Sequence, residues 1–390
     1  MFQIQTLNKI SKVGTCRLDA AKYTIADAPE NPDAIMVRSA AMHDMEFGSN
    51  LLAIARAGAG VNNIPVDKCA EQGIVVFNTP GANANAVKEL VVAGLLLSSR
   101  KISEAMAWVP SLKEEGDNVG KLVEKGKSQF AGPEIKGKTL GIIGLGAIGA
   151  LVANVAIDLG MKVIGTDPFL SVGAALRLSP AVQVAKSADE VLAAADYLTL
   201  HVPCNADTKG FINAAAIAKM KDGARVLNFA RGELVNDADM IAALEAGKIA
   251  CYVTDFPTQD VLRMKNAVAI PHLGASTPES EVNCADMAAR ELRDYLEDGQ
   301  IRNSVNFPEI LLGHSEGVRV LIIHENEPGM VSAISAAIGA RKININNMLN
   351  KSRRDMAVTV LELDREPDDM LQTQLKALPG VIRLRLPARG

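Results

Sequence analysis

A chain of 390 residues has the length of two or three domains. Lys and Arg total 41 against 45 Asp and Glu, a net charge of −4, which excludes the basic excess of a nucleic-acid-binding domain. The longest apolar stretch, residues 90–97, is broken by Gly94 and is far too short to span a bilayer. The first residues lack the charged and apolar regions of a secretory signal. Five widely spaced cysteines (Cys16, Cys69, Cys204, Cys251, Cys284) form no C-x-x-C pair and read as reduced thiols, with neither a disulfide framework nor a zinc site. The expectation is a soluble cytoplasmic protein with no membrane or nucleic-acid partner and no metal.

Short apolar runs alternate with helical patterns, which predicts an α/β protein with parallel sheets. Strands are predicted over 34–38, 51–56 and 74–78, and a long buried helix over 86–100. Residues 109–137 are rich in Gly, Lys and Glu and read as a surface excursion. A second βαβ system follows, with strands over 138–143 and 161–166 flanking a glycine turn (144–149) and a helix over 150–159. Further strands are predicted over 197–202, 225–229, 250–254 and 267–270. A helix over 279–298 has Pro278 at its start and Gly299 past its end, where those residues belong. After a tether over 302–317, the last 74 residues read β-α-β-β-α-β, the order of a ferredoxin-like fold.

Gly144, Gly146 and Gly149 form G-x-G-x-x-G after a strand and at the mouth of a helix. The first permits the turn, the second lets a pyrophosphate approach the backbone, and the third lets helix and strand pack closely. Asp167 ends the next strand 23 residues after Gly144, where a carboxylate meets ribose hydroxyls and repels a 2′-phosphate. NAD is therefore favoured over NADP. Hydride transfer then needs a cation for the substrate and an acid/base for its hydroxyl proton. Arg231 and His272 each follow the carboxyl end of a predicted strand, where such sheets bind ligands. Each also has a plainer reading, as a surface cation or a loop histidine. Trp108, the 14 methionines, His43, His201 and His314 read as structural, or for the histidines as a cofactor edge.

These segments, with Val37-Arg38-Ser39, residues 56–64 (RAGAGVNNI), 78–83 (NTPGAN), 230–232 (ARG) and 271–277 (PHLGAST), resemble the D-isomer-specific 2-hydroxyacid dehydrogenases, most closely their phosphoglycerate dehydrogenase branch. The resemblance implies a Rossmann-like nucleotide-binding domain (97–282) inserted in a flavodoxin-like substrate domain (1–96 and 283–312). A C-terminal ACT domain (317–390), of ferredoxin-like fold, would follow. It implies His272 as acid/base, and Arg231 as the arginine that holds the substrate carboxylate. Cofactor contacts would come from Gly144, Gly146, Ala147, Ile148, Gly149, Asp167, Ala230, Asp255, His272 and Gly274. Substrate contacts would come from Arg38, Ser39, Arg56, Ala57, Gly58, Asn83 and Arg231, with Arg38 and Arg56 on a 3-phosphate. The family's third catalytic residue is a glutamate; here Gln259 occupies that position, or Asp260 if the loop shifts by one. His324, Asn326 and Asn344 resemble contacts for L-serine as feedback inhibitor.

The implied reaction is oxidation of 3-phospho-D-glycerate to 3-phosphooxypyruvate, the first step of the phosphorylated pathway of L-serine biosynthesis, by a homodimer or homotetramer. The alternatives are a hydroxypyruvate or 2-oxoglutarate reductase and a NAD-binding corepressor.

Overall fold

The computed structural model describes residues 1–313 and 317–387, so His314 lies outside the described residues. The chain divides into two units, one formed by residues 1–83 with 278 onward and the other by Ala84–Thr277.

In the first unit, β1 (Phe2–Leu7), β2 (Tyr23–Ala26), β3 (Ala34–Val37), β4 (Ala53–Arg56) and β5 (Val75–Asn78) form a parallel sheet in the order β2-β1-β3-β4-β5. This is the flavodoxin order expected of the substrate domain. The central strand β3 reads AIMV with every residue buried, as a parallel strand covered on both faces must be. One face packs on the helix Pro278–Asp298 through Ala288, Leu292 and Tyr295. Ile35, Ile54 and Val76 pack on the other. The outer strands β1 and β2 were not foreseen, because each buries a single residue completely, Ile4 and Tyr23.

The same unit carries β13 (Val318–Glu325), β14 (Ile345–Arg353), β15 (Met356–Leu363) and β16 (Val381–Arg385), an antiparallel sheet in the order β14-β15-β13-β16. With the helices Met330–Ala340 and Asp369–Lys376 this is the expected β-α-β-β-α-β order. The helices cover Val320, Ile322 and Leu361 on one face. Leu321, Ile323, Val358 and Val360, alternating to the other face, share a core with Tyr295, Leu296, Phe307 and Ile310.

The second unit is a seven-stranded parallel sheet of β6 (Thr139–Ile143), β7 (Lys162–Thr166), β8 (Gln183–Val184), β9 (Tyr197–Leu200), β10 (Ala224–Asn228), β11 (Ile249–Thr254) and β12 (Ala267–Ala269). Its order, β12-β11-β10-β9-β6-β7-β8, reverses direction between β6 and β9, the switch point of a doubly wound sheet. The helix Ala84–Ser99 packs Val87, Val91 and Leu95 on one face beside the helix Ala147–Asp158. That second helix starts three residues before the expected position, because the glycine turn itself enters the helix at Gly146. Within residues 109–137, read as a surface excursion, 109–130 form short helical segments with no buried residue. No helix among the described residues is long and apolar enough to cross a membrane.

A carboxyl group is buried in the first unit. Glu291, in the helix Pro278–Asp298, accepts a hydrogen bond from Asn303 Nδ2 at 2.7 Å through Oε1, while Oε2 has no partner. Burial pushes its pKa up from 4.5 to about 8. Between pH 4.5 and 8 the unfolded chain has released this proton and the folded chain still holds it. Stability therefore falls as pH rises through that window, by about 1.4 kcal/mol per pH unit at most. We expect Glu291→Gln, which keeps the acceptor for Asn303, to melt above wild type at pH 8 by more than it does at pH 5. Equal differences at the two pH values would refute the buried-acid assignment.

Candidate active site

The amino half of the site is built by β6 and the turn after it. Gly144 has φ of 95°, a left-handed conformation, and its N–H donates to Thr166 O at 2.9 Å. A Cβ on Gly149 would lie 1.9 Å from Gly144 O, so only glycine lets the helix Ala147–Asp158 approach the strand this closely. Space around Gly146 is open to 4 Å, and no side chain caps the first amides of the helix. Ala147 and Ile148 open that helix. The Asp167 carboxylate reaches back to the turn: Oδ2 accepts from Leu145 N and Oδ1 from Phe169 N, both at 2.9 Å. Each oxygen retains lone pairs for a further donor. An open backbone cradle at a helix N-terminus with an anchored carboxylate beside it fits a dinucleotide.

His201 adjoins this turn. Its N–H donates to Ile143 O at 2.7 Å, and its carbonyl would meet a Cβ on Gly144 at 2.5 Å. One ring nitrogen, Nε2, pairs with Thr199 Oγ1 at 3.0 Å, and the enclosed Nδ1 has no partner. Burial pushes its pKa down to about 3, so the ring stays neutral near pH 7 and does not serve as a cation there.

The chemical half of the site lies at the carboxyl ends of β10, β11 and β12. Asn228, fully buried at the end of β10, receives Ala230 N on Oδ1 at 3.2 Å and donates through Nδ2 to Arg231 O at 2.8 Å. It thereby shapes the loop that presents Arg231. The sequence reading missed this residue; an asparagine directly after the apolar pair Val226-Leu227 at the strand end was its signal. Arg231 itself is exposed, and its Nη1 donates to Ala230 O at 2.6 Å.

Asp255 is 1% exposed at the end of β11. Its main-chain oxygen accepts His272 N at 2.9 Å and its Oδ2 accepts Gly274 N at 3.1 Å, while Oδ1 has no partner. Burial holds the carboxyl above the usual carboxylate range, although the Gly274 amide and the nearby His272 and Arg231 favour its ionised form. The unpartnered Oδ1 is a buried acceptor, of the kind that fits the carboxamide of a nicotinamide. His272 has φ of 44°, and its exposed ring lies 4.9 Å from the Phe256 ring at 53°. A pocket of about 500 Å³ joins His272, Phe256 and Gly232 with the carboxylates of Glu233, Asp237 and Asp255.

Neither Gln259 nor Asp260 hydrogen-bonds to His272, and neither lines this pocket. Asp260 instead leads a short 3-10 turn, Val261–Arg263, with its carbonyl accepting Arg263 N at 3.0 Å. Thr258 caps that turn through Val261 N at 3.1 Å and donates to Asp237 Oδ2 at 3.0 Å.

In the first unit, Val37, Arg56 and Asn78 are neighbours in register, so the segments after β3, β4 and β5 share the carboxyl edge of the sheet. Arg38 Nη1 donates to Glu281 Oε1 at 2.6 Å in a partly exposed ion pair. Arg56 Nε donates to Arg38 O at 3.0 Å, and its guanidinium lies over Gly58. The amides expected to meet a substrate carboxylate are only partly free: Ala57 N donates to Val37 O and Gly58 N to Arg56 O, each at 2.8 Å. Ser39 N donates to Asn8 Oδ1 at 2.9 Å. Asn83 Oδ1 and the Thr79 hydroxyl are buried and unpartnered.

Residues 92–274 match the family model of the D-isomer specific 2-hydroxyacid dehydrogenase, NAD binding domain. The chain is 36% identical over 314 residues to a D-3-phosphoglycerate dehydrogenase of Synechocystis, covering 78% of this chain and 54% of that protein. It thus spans about half the length of that relative. It is 34% identical over 349 residues to the D-3-phosphoglycerate dehydrogenase of Escherichia coli, covering 86% of this chain and 81% of that protein. Among solved structures, an NAD+-bound 3-phosphoglycerate dehydrogenase from Entamoeba histolytica superposes with a TM-score of 0.60 at 26% identity, covering 78% of this chain and 98% of that one. With its glycine turn, its switch-point sheet and these relatives, the chain belongs to the D-isomer-specific 2-hydroxyacid dehydrogenases, in their D-3-phosphoglycerate dehydrogenase branch, and carries that family's NAD-binding domain.

Proposed function

We propose that this protein oxidises 3-phospho-D-glycerate to 3-phosphooxypyruvate with NAD as acceptor, the first step of the phosphorylated route to L-serine. The observation that carries the reading is the grouping, at one sheet edge beside the glycine turn, of His272, Arg231 and the half-satisfied Asp255. When bound, the nicotinamide ring takes the hydride that leaves C2. His272 accepts the C2 hydroxyl proton as the carbonyl forms, a role suited to an imidazole. Arg231 pairs with the substrate carboxylate and polarises the oxygen at C2. Asp255 fixes the histidine loop through its main-chain oxygen and holds the carboxamide with Oδ1. The imidazole has no charged partner from residues 259–260, so we assign its orientation to the His272 N–Asp255 O bond and to the Phe256 ring.

Arg38 and Arg56 supply cations for the phosphate, with Arg38 exchanging Glu281 for it. The domains we assign are a substrate-binding domain (1–96 and 283–312), the NAD-binding domain (97–282) and a regulatory domain (317–390). In the last, L-serine is the effector we infer. Asn326 donates to Arg354 O, and both ring nitrogens of His324 are engaged, Nδ1 with Glu325 O and Nε2 with Thr359 Oγ1. His324 pairs through Ala357 with Ser352, eight residues along β14 from Asn344, or about 25 Å. One chain therefore cannot close the set on a single amino acid. Two copies can, which favours a homodimer or homotetramer.

NADH formation at 340 nm with 3-phospho-D-glycerate tests the reading, with and without L-serine. We expect turnover in wild type and loss of at least about 100-fold in His272→Ala. Removing charge with Arg38→Ala is expected to lower kcat/KM for the phosphorylated substrate by about tenfold or more, and for D-glycerate far less. Equal losses would contradict the phosphate assignment. Asp167→Ala removes the carboxylate that repels a 2′-phosphate, so the ratio of NAD to NADP efficiency is expected to fall. An unchanged ratio would remove Asp167 from cofactor selection.

A further inference from the structure

A cleft of about 590 Å³ lies in the first unit, at the amino edge of its parallel sheet. Asp33, Asn50 and Leu52, just before β3 and β4, form one wall. The other wall is Arg383 and Arg385 of β16, with Lys376 at the end of the helix before it. The Arg38 and Arg56 segments leave the opposite, carboxyl edge of the same sheet, so this cleft is a separate place.

The two arginines alternate with Leu384, which packs under the ACT helices, so both guanidinium groups emerge on the face turned to the parallel sheet. Arg383 donates through Nη1 to Leu51 O at 2.7 Å and through Nη2 to Gln72 O at 2.9 Å. Arg385, 8% exposed, donates to Tyr295 O at 3.4 Å and Leu296 O at 3.2 Å, with its guanidinium 4.4 Å from the centre of the Tyr295 ring. All of these partners are neutral. Among the described residues, neither arginine nor Lys376 takes part in an ion pair. The one carboxylate of the cleft wall, Asp33, accepts from Gln3 N at 2.7 Å.

Burial, with the like charge of Arg385 nearby, holds Arg383 below the usual guanidinium range. Capping main-chain carbonyls does not require charge, and two adjacent like charges, one buried and one half-buried, are costly without a counter-ion. Each guanidinium carries five N–H donors and uses two of them. The remaining donors and an excess of two positive charges match a phosphate-sized oxyanion, which arginine binds in bidentate fashion.

We propose that this cleft binds a small multiply charged oxyanion, a phosphate that is either free or carried on a metabolite, between the C-terminal antiparallel sheet and the amino edge of the parallel sheet. An anion there would neutralise Arg383 and Arg385 and tie the C-terminal sheet to the parallel sheet, so its occupancy would strengthen that packing.

The test is calorimetric titration of the full chain with inorganic phosphate and with glycerol 3-phosphate, at ionic strength matched with chloride. Wild type, Arg38→Ala and Lys376→Glu are compared; Lys376 is exposed and its substitution leaves the packed core alone. We expect saturable binding in wild type that persists in Arg38→Ala and weakens at least tenfold in Lys376→Glu. Tighter binding of glycerol 3-phosphate would assign the site to a phosphorylated metabolite, and equal binding to free phosphate, either supporting the site. Binding that Arg38→Ala abolishes, binding indifferent to Lys376→Glu, or no binding beyond the chloride control would overturn the proposal.

Discussion

The second unit's chemistry depends on how a single buried carboxylate is satisfied. Asp255 closes β11 with its main-chain oxygen bonded to His272 N and its Oδ2 bonded to Gly274 N. Those two bonds, with His272 N also donating to Ile270 O at 3.0 Å, hold the loop after β12, where His272 takes a left-handed conformation uncommon for a non-glycine residue. With Oδ1 unpartnered and the carboxyl buried, the residue is left one donor short. In the function proposed above a carboxamide would provide that donor, so filling the cofactor site would also complete the hydrogen bonding of the loop that carries His272. On that reading, one side chain would link the orientation of His272 to occupation of the site.

The glycine turn imposes a second constraint, acting on the backbone. The contact of Gly149 with Gly144 O fixes how the helix Ala147–Asp158 meets β6, and Asp167 closes the turn from β7 through Leu145 N. The helix N-terminus and the carboxylate then face a common space at the switch point between β6 and β9. Each device is local, held by residues within about two dozen positions of one another.

That locality explains what was legible in the sequence. Three glycines at fixed offsets, a following strand and an acid record a backbone constraint that composition cannot hide. The buried parallel strands β3, β4 and β5 were readable from their unbroken apolar runs. Strands β1, β2 and β8 were not, because polar residues interrupt each of them and no such run exists. Asn228 and Glu291 escaped for a different reason. Their significance is burial, and burial is set by neighbours distant in sequence. The residues after Phe256 show the limit of matching by offset. Gln259 and Asp260 stand where the family's glutamate is expected, yet Thr258 and Asp260 organise a 3-10 turn whose hydrogen bonds run elsewhere. Arg383 and Arg385 likewise look like polar strand residues until the packing of the C-terminal sheet half-buries the first and buries the second, with no ion-pair partner among the described residues.

In the proposed reaction, hydride passes from C2 of a 2-hydroxyacid to NAD held on this edge. It is tested most directly with 3-phospho-D-glycerate deuterated at C2, by following the label by mass spectrometry. Each turnover is expected to place one deuterium on the NADH formed, with none released to water. Label found in solvent, or product formed with unlabelled NADH, would contradict it.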